Sequence, residues 1–263
     1  MPIDGITLEQ DGNWNICYIN EFSDELKDII RNELNVICYG KNHVEEDARF
    51  YSYSKTLREF LARYNPKTIE TKKGMLGELL AHLLIKKIIT KLETISIFFN
   101  KEERSIKKGF DQNYIESEAH VIWYGEVKSG AKTEGQTTDT ANTALLRNAK
   151  TDIANLLTRE RANVWENVIT DADLNFKLEE GLIVKELLRG DVAEIEVDPD
   201  AKKNVILISV LYYDINTKIS NDSVRQLLET VVGEDIFQDV IVFTIQKSTL
   251  EKIERFLQAE CED

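Results

Sequence analysis

The chain has 263 residues, of which 42% are hydrophobic and 30% are charged, proportions typical of a soluble globular protein. A chain of this length forms one large domain, or one domain with an elaboration, and buries about three quarters of its unfolded surface. Its formal net charge of −14 opposes a free, tight nucleic-acid binder, for which a basic surface is expected.

The cysteines and the apolar runs indicate the compartment. Cys17, Cys38 and Cys261 are widely spaced and odd in number, so we expect reduced thiols in a cytoplasm rather than a disulfide framework. The first residues lack the basic and apolar segments of a signal peptide. The longest apolar run, residues 205–213, is about half the length that a membrane helix needs. We therefore predict a cytoplasmic protein with no membrane segment.

The N-terminal part predicts a mixture of strands and helices. Residues 14–20 alternate well enough for a strand. Ser23 is a good helix N-cap followed by two acids, which predicts a helix to about Leu34. Residues 36–39 then predict a short strand, and residues 44–64 a long helix.

The next segment predicts a helix followed by strands. The helix, from about residue 72 to residue 91, has an apolar core stripe and carries one acid, Glu78, on its flank. A buried acid needs a partner, and a metal ion or Lys128 would serve; the alternative is an exposed acid on an ordinary amphipathic helix. Residues 94–99 predict a strand, and residues 100–108 a charged turn that returns toward Asp111.

A further strand, from about residue 121, ends in two residues of opposite charge. Glu126 and Lys128 are two positions apart, so they point to the same face with side-chain roots roughly 7 Å apart. A neighbouring antiparallel strand would bring Asp111 alongside. Two carboxylates and an ammonium at one point make a site for a hard cation with a proton-handling group beside it. The alternative is a solvated cross-strand ion pair.

These residues resemble the PD-(D/E)xK nuclease superfamily, in which a helix with an acid is followed by Asp and then by Glu-x-Lys. The wider run is similar to the HamA family, the nuclease subunits of bacterial Hachiman anti-phage systems. The matching segments are Gly-Glu-Leu-Leu-Ala-His-Leu-Leu-Ile at residues 77–85, Gly-Phe-Asp at residues 109–111, and Trp-Tyr-Gly-Glu-Val-Lys-Ser-Gly at residues 123–130. Phe110 departs from the superfamily pattern, which has proline at this position.

The resemblance implies a restriction-endonuclease-like fold, an α/β protein with a mixed β-sheet flanked by helices. It also implies a deoxyribonuclease that depends on Mg²⁺ or Mn²⁺. Asp111 and Glu126 would hold the metal with the Val127 carbonyl, and Glu78 would support a second ion or a metal water. Lys128 would orient or deprotonate the attacking water, or stabilise the developing charge. The implied partner is a helicase, HamB, which restrains the nuclease until it engages DNA; an RNA substrate is the alternative.

The segment after Gly130 has nearly the spacing of a phosphate-binding loop between a strand and a helix. Gln136 stands where such a loop needs lysine, so we expect no nucleotide-binding site, and any motor lies on another chain. Residues 137–162 predict a helix, either continuous or broken near Thr143.

The C-terminal part continues the α/β pattern. Residues 192–197 predict an acidic edge strand after an amphipathic segment, and residues 205–213 predict a central strand buried on both faces. A helix over residues 222–232, a strand over residues 240–245 and a helix over residues 249–260 complete the pattern.

We predict a nuclease-like domain over residues 67–263, with residues 1–66 forming an N-terminal α/β extension packed on it. The acidic charge indicates that another subunit brings the DNA, or that binding is restricted to a local cationic groove. The rival interpretation is a non-catalytic interaction subunit of a helicase complex, in which Glu126 and Lys128 form only an ion pair.

Overall fold

The computed structural model describes residues 3–99, 109–157, 162–248 and 250–262. Their strands form one seven-stranded mixed sheet. In chain order the strands are β1 (Ile6–Asp11), β2 (Trp14–Ile19), β3 (Leu92–Thr94), β4 (Gln112–Glu116), β5 (Val121–Ala131), β6 (Asn204–Tyr212) and β7 (Asp239–Lys247). The spatial order is β1-β2-β7-β6-β5-β4-β3. The four inner strands, from β2 to β5 in this order, run parallel, and β1, β4 and β3 each pair antiparallel with their inner neighbour.

Helices cover both faces of this sheet. They are α1 (Asp24–Tyr39), α2 (Lys41–Glu46), α3 (Tyr53–Tyr64), α4 (Ile69–Ile88), α5 (Thr138–Leu157), α6 (Ala162–Asn175), α7 (Leu178–Val197), α8 (Asn221–Gly233) and α9 (Glu251–Glu262). One hydrophobic core joins α1, α3, α4 and α9 to the sheet, and a second joins α5, α6, α7 and α8 to the other face. A mixed sheet flanked by helices confirms the predicted α/β class.

The central strand is where the apolar pattern placed it. β6 lies fourth of the seven strands, between β5 and β7, and its residues are buried from Val205 onward. Alternate residues enter the two cores, Ile206 and Ile208 on one face and Val205 and Leu207 on the other. A continuous apolar run is the consequence of this burial on both faces.

The predicted strand at residues 36–39 is wrong, because these residues are the last turn of α1. Ile37 and Cys38 continue the helical spacing of the buried residues before them. Ser23 caps the start of α1 as predicted, accepting a hydrogen bond from the Leu26 amide, and Gly40 ends it with a φ of 90°. The apolar β-branched residues favoured a strand locally, but burial of a helical stripe decided the structure.

The predicted long helix over residues 44–64 is two helices, α2 and α3, separated by a turn. The Asp47 side chain accepts a hydrogen bond from the Phe50 amide over 2.9 Å, which favours a turn over helix continuation. The predicted strand over residues 94–99 is wrong beyond its first residue, since β3 covers Leu92–Thr94 and residues 95–99 are not in a strand. The charged turn predicted at residues 100–108 lies outside the described residues.

The predicted edge strand at residues 192–197 is wrong, because α7 continues through it. Val184, Leu188 and Ile195 are buried at helical spacing along this element. α5 is continuous through Thr143, which excludes the break considered there.

The N-terminal residues share the sheet with the rest of the chain. β2 pairs in parallel with β7, over the register Trp14–Val242 to Ile19–Lys247. The division into residues 1–66 and 67–263 stays a prediction. In the described ranges, no helix combines the length and apolarity that crossing a membrane requires.

Candidate active site

The middle of β5 presents two charged side chains to the face covered by α5, and the strand continues beyond them to Ala131. Glu126 lies opposite Leu207 of β6, and Lys128 lies opposite Ser209. Their neighbour Val127 belongs to the opposite core, as the alternation of a strand requires. The predicted shared face of Glu126 and Lys128 is therefore confirmed.

Asp111 lies beside this pair. It directly precedes β4, whose first residue, Gln112, is paired antiparallel with Gly125. The Oδ2 atom of Asp111 accepts a hydrogen bond from the Val127 amide over 2.8 Å. In the described residues the β4–β5 ladder stops at Gly125, so the Asp111 carboxylate occupies the position of the next main-chain acceptor.

Phe110 anchors the approach to Asp111. Its side chain is fully buried, with ring centroids 4.8 Å from Tyr124 and 5.1 Å from Trp165. The residue that departs from the superfamily pattern is therefore part of the core between β5 and α6. This packing fixes the chain direction into Asp111.

The Lys128 ammonium bridges two carboxylates from different elements. Its Nζ atom is 2.6 Å from Oε1 of Glu126 and 2.8 Å from Oδ2 of Asp152, which lies on α5. The sequence analysis missed Asp152. No motif marks it, because it reaches Lys128 only through the packing of α5 on β5.

The cluster of Asp111, Glu126, Lys128 and Asp152 is acidic and partly buried. Burial and the charge of Asp111 raise the pKa of Glu126 from 4.5 to about 8, against the opposing effect of Lys128. Burial lowers the pKa of the Lys128 ammonium, but Glu126 and Asp152 outweigh burial and raise it. The nearby carboxylates act in the same direction on both groups, because negative charge around a single ammonium favours proton binding.

Glu78 approaches the site from the other face of the sheet. The core stripe of α4, which carries it, packs with Val127 and not with the α5 face. The Gln112 side-chain amide donates to the Glu78 carbonyl over 3.0 Å. Gly77 lies so close to β5 that a Cβ there would be 1.8 Å from Oγ of Ser129. The main chain at Glu78 is thus held beside β4 and β5.

A metal ion at this cluster would be held by few protein carboxylates. Over the residues that the structure describes, no group of three or more histidine, cysteine, aspartate or glutamate side chains is arranged to hold a metal. Glu78 therefore does not join Asp111 and Glu126 in such a group, and its metal role stays a prediction. Oε2 of Glu126 is buried without a hydrogen-bond partner. Mg²⁺ keeps several waters and takes one or two protein carboxylates, so Asp111 and Glu126 fit such an ion.

Comparison with known proteins identifies the family of this chain. The HamA family model matches residues 5–261. No curated protein and no solved structure matches the chain. The family model spans nearly all of the 263 residues, including Asp111, Glu126 and Lys128. The chain therefore belongs to the HamA family and is a Hachiman-associated defence protein.

Proposed function

We propose that this protein is a metal-dependent deoxyribonuclease, the effector of an anti-phage defence complex. The observation that carries the proposal is the convergence of Asp111, Glu126 and Lys128 at the end of the β4–β5 ladder. Hydrolysis of a phosphodiester by a metal-dependent nuclease can use two acids and an ammonium. The two acids hold the cation, and the ammonium acts on the attacking water or on the phosphate.

The acids are suited to a divalent cation. The raised pKa of Glu126, caused by burial and by Asp111, means that the cluster lacks positive charge. Asp111 and Glu126 would hold Mg²⁺ or Mn²⁺, with the Val127 carbonyl and Glu78 as further predicted contributors. When bound, such an ion stabilises charge on the phosphoryl oxygens and lowers the pKa of water.

Lys128 would act on the other reactant. An ammonium has three N–H donors, and two of them are directed at Glu126 and Asp152. The third can donate to a phosphate oxygen or to the attacking water. The side chain is 27% exposed, which leaves it accessible from solvent.

DNA would reach this site through a partner. The net charge of −14 opposes unaided binding of a polyanion. The HamA family resemblance supplies the partner, a helicase of the HamB type, and restraint of the nuclease until that helicase engages DNA is part of the proposal.

The test compares the wild-type protein with Glu126→Gln and Lys128→Met on plasmid DNA and on RNA. Each substrate is incubated with Mg²⁺ or Mn²⁺, with and without the helicase partner. We expect both substitutions to reduce DNA cleavage at least about 100-fold, while both variants remain folded and unfold cooperatively on heating. The matched control is Lys150→Met. Lys150 also lies on α5, and its ion-pair partner is Glu234, outside the site. Full cleavage by both site variants would refute the proposal, and cleavage of RNA alone would change the substrate.

A second candidate is a non-catalytic subunit of the helicase complex. The Glu126–Lys128 contact of 2.6 Å favours it, since a structural ion pair has the same geometry. Calorimetric titration with Mn²⁺ separates the two, because a non-catalytic subunit has no reason to bind the ion in a way that depends on Glu126.

A further inference from the structure

We propose that Asp152 is a positioning residue that fixes the Lys128 ammonium at the site, an inference that rests on the proposed hydrolysis of DNA. Asp152 lies on α5, and Glu126 and Lys128 lie on β5. Its carboxylate is 2.8 Å from the ammonium, on a different element from the Glu126 carboxylate at 2.6 Å.

Two anchors restrict a lysine in a way that one cannot. A lysine side chain loses about 2 kcal/mol of rotamer entropy when its ammonium is held in one place. Glu126 is on the same strand as Lys128, so its carboxylate limits the distance of the ammonium from β5 but lets the ammonium move around the Glu126 oxygen. Asp152, on the helix that covers this face of the sheet, removes that freedom. The third N–H of Lys128 then has a fixed direction.

The packing of α5 determines where Asp152 lies. Ala149 and Ile153, on either side of it along the helix, are fully buried. A Cβ at Gly130 of β5 would lie 3.1 Å from Cδ2 of Leu145 on α5, so this glycine permits the close approach of the helix. The position of the Asp152 carboxylate therefore follows from two well-packed elements.

Asp152 contributes little to the fold itself. Its side chain is 52% exposed, and it forms an ion pair with Lys128. Exposed ion pairs contribute less than about 1 kcal/mol. Asp152→Asn is therefore expected to fold as the wild type does, which makes it a clean test.

The carboxylate also has an electrostatic cost, which gives the inference a distinctive signature. A negative charge beside the ammonium repels an incoming phosphate. Removing it should lower kcat because Lys128 is less well placed, and should lower KM because the repulsion is gone. A residue with a merely structural role would not move the two constants in this way.

The test follows the Lys128 ammonium directly and the reaction separately. The ¹H–¹⁵N signal of the ammonium is recorded in the full chain without DNA and is assigned by its loss in Lys128→Arg. We expect Asp152→Asn to shift or broaden this signal and to lower kcat about 10- to 100-fold. The matched control is Glu234→Gln. Glu234 is the ion-pair partner, at 2.6 Å, of Lys150, which lies on α5 as Asp152 does. It should change the Lys150 signal and leave Lys128 and kcat unchanged.

The outcomes are distinct. An unchanged Lys128 signal in Asp152→Asn overturns the inference, and so does a changed signal with wild-type kcat. If the wild-type chain with its partner cleaves nothing, the proposed function fails, while the ammonium signal still decides whether Asp152 restrains Lys128.

Discussion

The carboxylate of Asp111 accepts a hydrogen bond from the main-chain amide of Val127 over 2.8 Å. The contact lies beyond the last β4–β5 ladder pair, Gln112 with Gly125: Asp111 is one residue before Gln112, and Val127 is two residues after Gly125. It holds β5 where the β4–β5 ladder stops, and at the same time it places a negative charge close enough to raise the pKa of Glu126. Asp111 thus combines a structural bond with the charge of the proposed metal site, and the two effects are separable by mutation.

Asp111→Asn should separate them. The asparagine retains a side-chain oxygen that accepts from Val127, so we expect the variant to keep this hydrogen bond and to fold as the wild type does. Its lost charge should abolish calorimetric binding of Mn²⁺. Asp111→Ala loses the acceptor too and should cost about 1 kcal/mol more in urea unfolding. Binding of Mn²⁺ by Asp111→Asn at wild-type affinity would show that this charge is not needed.

The raised pKa of Glu126 predicts a particular dependence of stability on pH. Burial and Asp111 move this pKa from 4.5 to about 8 in the folded protein. Between these values the folded state holds a proton that the unfolded state releases, so stability falls as pH rises from about 4.5 through 8. We expect Glu126→Gln, measured by urea unfolding with a chelator present, to lack this part of the decline.

A divalent cation should raise the stability that the ionisation of Glu126 lowers. Mn²⁺ binds the folded state in preference to the unfolded state, so adding it at pH 8 should stabilise the wild type. Glu126→Gln should show no such gain. Equal stabilisation of both proteins would place the ion elsewhere.

Lys247, on β7 and so two strands from the site, should give the reverse pH profile. It is 4% exposed, and burial together with the charge of Lys252 lowers its pKa from 10.5 to about 8. Below pH 8 the folded state carries a buried charge at a cost, and stability rises between about pH 8 and 10.5 as that proton leaves. Lys247→Met should therefore gain about 1–3 kcal/mol at pH 7, and the gain should vanish near pH 10.5. Lys252→Met, an exposed neighbour, is the control and should gain less.

Local sequence patterns predicted the features that depend on one element. The period of β5 placed Glu126 and Lys128 on one face, and the apolar run of β6 identified the central strand. Ser23 marked the start of α1 through its cap hydrogen bond. In each case the deciding interaction lies within the element or in the burial of its two faces.

Contacts between distant elements could not be read from such patterns. Asp152 meets Lys128 only because α5 packs over β5, and no spacing rule links the two residues. The last turn of α1, with Ile37 and Cys38, resembles a strand in isolation, and its helical structure follows from its place in the core. The position of Glu78 depends likewise on how α4 crosses the sheet.

Gly77→Ala tests the crossing of α4 over β5. A Cβ at Gly77 would lie 1.8 Å from Oγ and 2.9 Å from Cβ of Ser129, so α4 has to move away from the strand. Overpacking of this kind costs about 1–3 kcal/mol. The displacement would also shift Glu78, the residue next in the helix, and we expect cleavage to fall with stability.

The matched control is Gly74→Ala, one turn earlier in α4, where nothing lies within 4 Å of the added methyl group. Alanine is the better helix former by about 1 kcal/mol, so this variant should gain stability in urea unfolding and cleave at the wild-type rate. Equal effects of the two substitutions would show that the contact between Gly77 and Ser129 does not determine the position of α4.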